Sequence, residues 1–254
     1  NASGNIWFRN GVVIAGVTGS TYRVSTSGIY TVESSNAAGC VSGVSQPVVV
    51  TINALPVVGA INGVSVLCEG STAQMSNSAV GGVWSSSNNS IISIDGSGMI
   101  QGVAAGSATI SYSVTNASGC SSTVTKLITV TALPAKPTVT AAGATSFCLP
   151  GSVTLNSSAV SGNQWYRDGV LIAGATSSSY VASQTGVYSV MVTQNSCVSA
   201  ESDVVSVTGN ATPSAPVLKA KGSTSVCEGE TVQLHTSNAS GNIWFRNGVV
   251  IAGV

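Results

Sequence analysis

Six cysteines, Cys40, Cys68, Cys120, Cys148, Cys197 and Cys227, are the residues of this chain best suited to covalent chemistry, and their spacing narrows what that chemistry is. No two of them form a Cys-x-x-Cys pair, and the single histidine, His235, has no second imidazole to join it. Neither a zinc site nor a dithiol redox motif is therefore spelled out. Wide, regular intervals in a chain rich in turn residues read instead as structural disulfides made in an oxidising compartment. The other reactive groups take plainer readings. His235 sits beside Leu234 on an alternating stretch, with no Ser–Asp constellation in reach. Glu228 and Glu230 flank Gly229 as a solvated turn does, not as an acid–base pair. Calcium needs several clustered oxygen ligands, and the aspartates, Asp95, Asp168 and Asp203, are far apart. The expectation is no catalysis, no metal and no cofactor.

Phe8, Tyr166 and Phe245 each follow a tryptophan, so strand alternation points them outward, where they could stack on a sugar or on a neighbouring chain. Asn-x-Ser/Thr sequons at Asn1, Asn88, Asn116, Asn156, Asn210 and Asn238 are what a chain rich in these residues contains by chance. Eight Lys and Arg balance eight Asp and Glu, which leaves no field to attract nucleic acid or anionic lipid. Charged residues are only 6% of the chain, and Ser, Thr, Asn and Gly carry its polarity. No apolar run approaches the roughly 18 residues of a membrane span.

The elements that position these residues come in repeats. Residues 1–17 recur letter for letter as residues 238–254, an offset of 237. Chance does not match seventeen letters, so the expectation is one unit plus an overlap, cut from a longer array that builds length and spacing. Within the unit, Trp7 to Gly16 matches Trp165 to Gly174 at an offset of 158, two-thirds of the period, and Gly28 to Val32 matches Gly186 to Val190 at the same offset. A third module lies between them, running from Cys68-Glu69-Gly70 to Asn116-Ala117-Ser118-Gly119-Cys120. Proline-bearing linkers give boundaries of 1–54, 55–132, 133–209 and 210–254, the last segment being the start of the next copy of the first. Val153, Leu155 and Ser157 alternate with polar neighbours, as do Tyr188, Val190 and Val192, and Asn10-Gly11 and Asp168-Gly169 are hairpin turns. The fold class is all-β, with half-buried antiparallel strands forming sandwiches.

Gly151 to Leu155, Trp165 to Gly169 and Gly186 to Tyr188 resemble strands B, C and F of an I-set immunoglobulin-like domain. The resemblance puts Trp7, Trp165 and the copy Trp244 in the core, with Tyr30 and Tyr188 at the tyrosine corner. Ser157 and Val190 occupy the positions that pair as cysteines in antibody domains. Val83 to Asn88, Ile94 to Gly98 and Gly102 to Ile110 of the middle module resemble the group-2 bacterial immunoglobulin-like family, with Trp84 and Tyr112 as core aromatics. This mixture is similar to repeat regions of giant surface proteins of Bacteroidota, exported by the type IX system for adhesion or gliding motility. It implies a non-enzymatic extracellular fibre of tandem immunoglobulin-like sandwiches in an extended array. Its partners would be neighbouring copies of the repeat and a glycan or surface ligand. A carbohydrate-binding repeat and an accessory region of a secreted enzyme are the alternatives.

Two disulfide patterns then stand open. Bonds within modules would pair Cys68 with Cys120, Cys148 with Cys197, and Cys227 with the next copy of Cys40. The immunoglobulin-like register instead places Cys148 and Cys227 at the end of strand A′ and Cys40, Cys120 and Cys197 after the F–G turn, at opposite ends of a sandwich. That register implies staples across junctions, Cys68 with Cys197 and Cys148 with the next copy of Cys40.

Overall fold

A computed structural model describes residues 4–252, so the sequon at Asn1 lies outside the described residues. Strands and turns make up the described chain, without a helix among the described residues. Contacts divide it into two compact units, one running to Leu133 and including Asn195–Cys197, the other holding Pro134–Gln194 and the chain from Val198 onward.

The first unit begins with a sheet of β1 (Asn5–Arg9), β2 (Val12–Val13), β3 (Gly28–Ser34) and β4 (Val48–Val50), ordered β2-β1-β3-β4 and antiparallel throughout. Asn10 and Gly11 both take positive φ, 52° and 79°, which is the tight turn whose twist matches the strands it joins. Its second part has β5 (Val66–Cys68), β6 (Thr72–Gln74), β7 (Val83–Ser86), β8 (Ile92–Ile94), β9 (Met99–Gly102), β10 (Gly106–Thr115) and β11 (Ser121–Thr131). These form two sheets, β5-β11-β10-β7 and β6-β9-β8. Alternation along β10 and β11 turns Ala108, Ile110, Tyr112, Ile128 and Val130 inward onto Ile92 and Ile100 of the other sheet. Gly82 closes this core beneath Tyr112, because a Cβ there would lie 2.3 Å from the ring.

The second unit carries β12 (Val139–Ala141), β13 (Ser146–Cys148), β14 (Val153–Ser157), β15 (Asn163–Arg167), β16 (Val170–Leu171), β17 (Ser179–Ala182), β18 (Gly186–Gln194), β19 (Cys197–Val198, its cysteine counted with the first unit) and β20 (Val205–Asn210). The sheets are β12-β14-β17 and β13-β20-β18-β15-β16, with β19 on β18. Between them Val153 and Leu155 meet Trp165, Tyr188, Val190 and Val207. Beyond lie two hairpin pairs, β21 (Leu218–Lys221) with β22 (Gln233–Thr236) and β23 (Phe245–Arg246) with β24 (Val249–Val250).

Candidate functional site

The cysteines occupy two kinds of place. Cys68 ends β5 and Cys148 ends β13, and each of these short strands pairs in parallel with the last strand of its sandwich. Cys68 is thereby set beside Thr131 and Cys148 beside Asn210. The chain then turns back on the cysteine: Ser71 N donates to the Cys68 carbonyl at 3.0 Å, and Gly151 N to the Cys148 carbonyl at 2.8 Å. Cys227 has the same turn, closed by Glu230 N on its carbonyl at 3.0 Å. Cys40 and Cys120 form the second kind. Asn36 and Asn116 each start a five-residue loop ending in cysteine, and each asparagine Oδ1 accepts the cysteine amide at 3.0 Å. Cys197 opens β19 after a tight turn in which Asn195 and Ser196 hold φ of 50° and 65°.

Cys68 and Cys197 are bonded to each other, with Cα atoms 5.7 Å apart, and Cys40, Cys120, Cys148 and Cys227 are free thiols. This overturns Cys68–Cys120 and Cys148–Cys197. The reason is length. Cys120 precedes and Cys68 pairs with the far end of β11, an 11-residue strand that spans roughly 36 Å. A disulfide reaches about 7 Å between Cα atoms.

A second set of residues, not singled out by spacing alone, holds the segment after these cysteines. Cys40-Val41-Ser42-Gly43-Val44-Ser45 and Cys197-Val198-Ser199-Ala200-Glu201-Ser202 share a Cys-Val-Ser-x-x-Ser pattern. Ser199 and Ser202 Oγ each accept an amide across the sheet, from Val192 and Val190, both at 3.0 Å. Ser42 and Ser45 do the same for Ser34 and Val32. Each hydroxyl also donates to the following residue's carbonyl, at 2.8 to 3.0 Å. Serine side chains thus satisfy strand donors where the opposing backbone departs from a regular ladder.

The aromatics fall as follows. Trp165 is fully buried and its Nε1 donates to the Ser177 carbonyl at 2.9 Å, while Trp7, partly buried, repeats the bond to Gly19 at 3.1 Å. Tyr30 and Tyr188, both buried, donate to the carbonyls of Thr26 and Gln184, four residues back. Tyr112 is buried with its hydroxyl between Ala79 and Gly82, and Trp84, half-buried, packs on it with ring centroids 4.4 Å apart. Trp244 is half-buried. Phe245 is 60% exposed. Phe8 and Tyr166 are half-buried rather than projecting freely, because the hairpin returns Val13 and Leu171 opposite them.

Burial pushes the Tyr188 phenol above its ordinary pKa of 10.0. The Ser97 hydroxyl, followed by the Met99 amide, holds the Asp95 carboxyl below the ordinary 3.8. Glu230 turns its Oε2 onto the Cys227 amide at 3.1 Å, and His235 lies opposite Lys219 in the β21–β22 register. A cleft of about 510 Å³ is lined by residues such as Pro213, Leu218, Trp244 and Phe245 and contains no titratable side chain. Among the described residues no three His, Cys, Asp or Glu side chains cluster to hold a metal, and no helix is long and apolar enough to cross a membrane.

No protein-family model matches the sequence, and no curated protein matches it. Solved structures do. Murine CEACAM1b is similar at 14% identity and a TM-score of 0.34, over 60% of this chain and 99% of that one. The fibronectin(III)-like modules of Clostridium thermocellum CbhA are similar at 15% identity and 0.37, over 60% and 95%. A Ca2+-stabilized adhesin with which an Antarctic bacterium binds ice is similar at 14% and 0.34, over 88% and 69%. The described chain is all-β, with cores packed between paired sheets.

Proposed function

We propose that this chain is a structural and adhesive segment of a long repetitive extracellular fibre, of the kind Bacteroidota export for adhesion or gliding motility. The observation that carries this reading is the letter-for-letter recurrence of residues 1–17 at an offset of 237. Identity over such a stretch marks copied modules, and copied modules add length, not chemistry. The side chains support it: what recurs in register is the machinery of folding, namely Trp7 with Trp165, Tyr30 with Tyr188, and the paired serines. Sheets and cores resist extension, and cross-links limit unravelling.

The test is the reading frame of the parent gene together with the intact mass of its surface-exposed product. The expected result is several 237-residue periods, a secretion signal and a sorting domain, with weaker cell attachment when the repeats are deleted. A single copy of the unit joined to a hydrolase domain would overturn the fibre and favour an enzyme accessory region.

A further inference from the structure

Four free thiols remain beside one disulfide, and they are not scattered. Cys148 and Cys227 repeat the setting of Cys68, each closed by a turn onto its own carbonyl. Cys68 and Cys148 also mark the C-terminal ends of their sandwiches, where Glu69 N and Leu149 N donate to the last-strand carbonyls of Thr131 and Asn210 at 2.9 and 2.8 Å. The other class marks the N-terminal end. Cys120 lies 3.8 Å from the Asn53 carbonyl, and Asn116 Nδ2 donates to Ala54 O at 2.8 Å, so this loop sits where the chain enters the middle sandwich. Cys40 has the same loop as Cys120. In a tandem chain, the C-terminal end of each sandwich leads into the N-terminal end of the next.

We propose that Cys148 and Cys227 are disulfide-bonded to Cys40 and Cys120 of the following copy, so that every junction between sandwiches carries the same cross-link as Cys68–Cys197. The inference rests on the array reading. One period moves Cys40 to position 277 and Cys120 to 357. Cys148 then precedes its partner by 129 residues and Cys227 by 130, against 129 for the bond already formed. The paired thiols give up two protons and two electrons by exchange with a protein disulfide of the cell envelope, which leaves as a dithiol.

The bonds overlap, and the overlap redirects force. A covalent path crosses from Cys68 to Cys197 and runs along the backbone to Cys227. There it crosses again to the next Cys120, runs to the next Cys148, and so on. A second path uses the alternate cross-links. Neither path passes through the backbone between Cys68 and Cys120, Cys148 and Cys197, or Cys227 and the next Cys40, which holds most of each sandwich. Only the segments from Cys40 to Cys68, Cys120 to Cys148 and Cys197 to Cys227 bear load, of 28, 28 and 30 residues by subtraction. These 86 residues per period, shared by two paths, leave 43 of 237 on each. The fibre is a two-rail ladder in which stretching draws out only these segments and leaves the enclosed backbone of each sandwich unloaded.

The native surface protein, stretched singly between handles without reductant, is expected to reach a contour length of about 150 Å per period, rising roughly fivefold to about 800 Å once reduced. Bonds confined within sandwiches would leave all 86 load-bearing residues on one path, about 300 Å per period, and overturn the ladder. So would the full 800 Å before reduction. Non-reducing digestion and mass spectrometry of the same protein should find Cys40 linked to Cys148 and Cys120 linked to Cys227. Cys40 linked to Cys227 overturns these pairings while leaving the array standing. An intact mass holding a single period overturns the array itself, and with it any bond between copies.

Discussion

At the scale of single residues, small polar side chains carry most of what distinguishes this chain. The Val190 amide is fully buried and its acceptor is the Ser202 hydroxyl. Ser202→Ala strands that donor, and a loss of about 1–3 kcal/mol is expected in denaturant unfolding, with little change for Ser42→Ala, the exposed counterpart of Ser199. Tyr188 gives a pH signature. Its folded pKa is raised, so its contribution is complete below the ordinary value of 10.0 and is lost as pH rises through the folded value, because the unfolded phenol ionises first. A fall in melting temperature starting near pH 10 and absent in Tyr188→Phe checks this. Asp95 acts in the opposite sense, its stabilisation being present above 3.8 and lost as pH falls through the depressed folded value. The Asn-Gly and Asp-Gly turns are legible from sequence because backbone preference is local. The serine acceptors are not, because a hydroxyl's partner across a sheet depends on register.

At the scale of elements, β10 and β11 follow their alternation, while the short strands β5 and β13 do not declare their partners. Each joins the far end of a strand some sixty residues away, in parallel, and no local pattern encodes that choice. The same non-local packing fixes Gly82. A Cβ there meets the Tyr112 ring at 2.3 Å, and the ring cannot swing aside while its hydroxyl is held by Ala79 and Gly82. Gly82→Ala is expected to cost about 1–3 kcal/mol, read from thermal unfolding. Gly43→Ala, with nothing within 4 Å of the added Cβ and an ordinary φ, should leave the melting temperature unchanged.

At the scale of the molecule, one bond ties residues separated by 129 positions. Alkylation of the 254-residue chain without reductant should label four thiols, and two more after reduction, counted by intact mass. Reduction, or Cys68→Ser, should lower stability by up to about 5 kcal/mol in the chain-entropy account, and Cys120→Ser should not. A fully labelled unreduced chain would contradict the bond.

The resemblance to immunoglobulin-like strands implied Trp165 in the core and Tyr188 at the corner, where the structure has them, and the echo of residues 1–17 stands in the letters themselves, since copying leaves identity behind. The sequence therefore determined an all-β chain of repeated sandwiches. Which thiol meets which was left open, because equal spacings serve two pairings equally well. The tertiary structure decided it by setting Cys68 and Cys120 at opposite ends of an 11-residue strand, farther apart than any disulfide spans, and bringing Cys197 to Cys68.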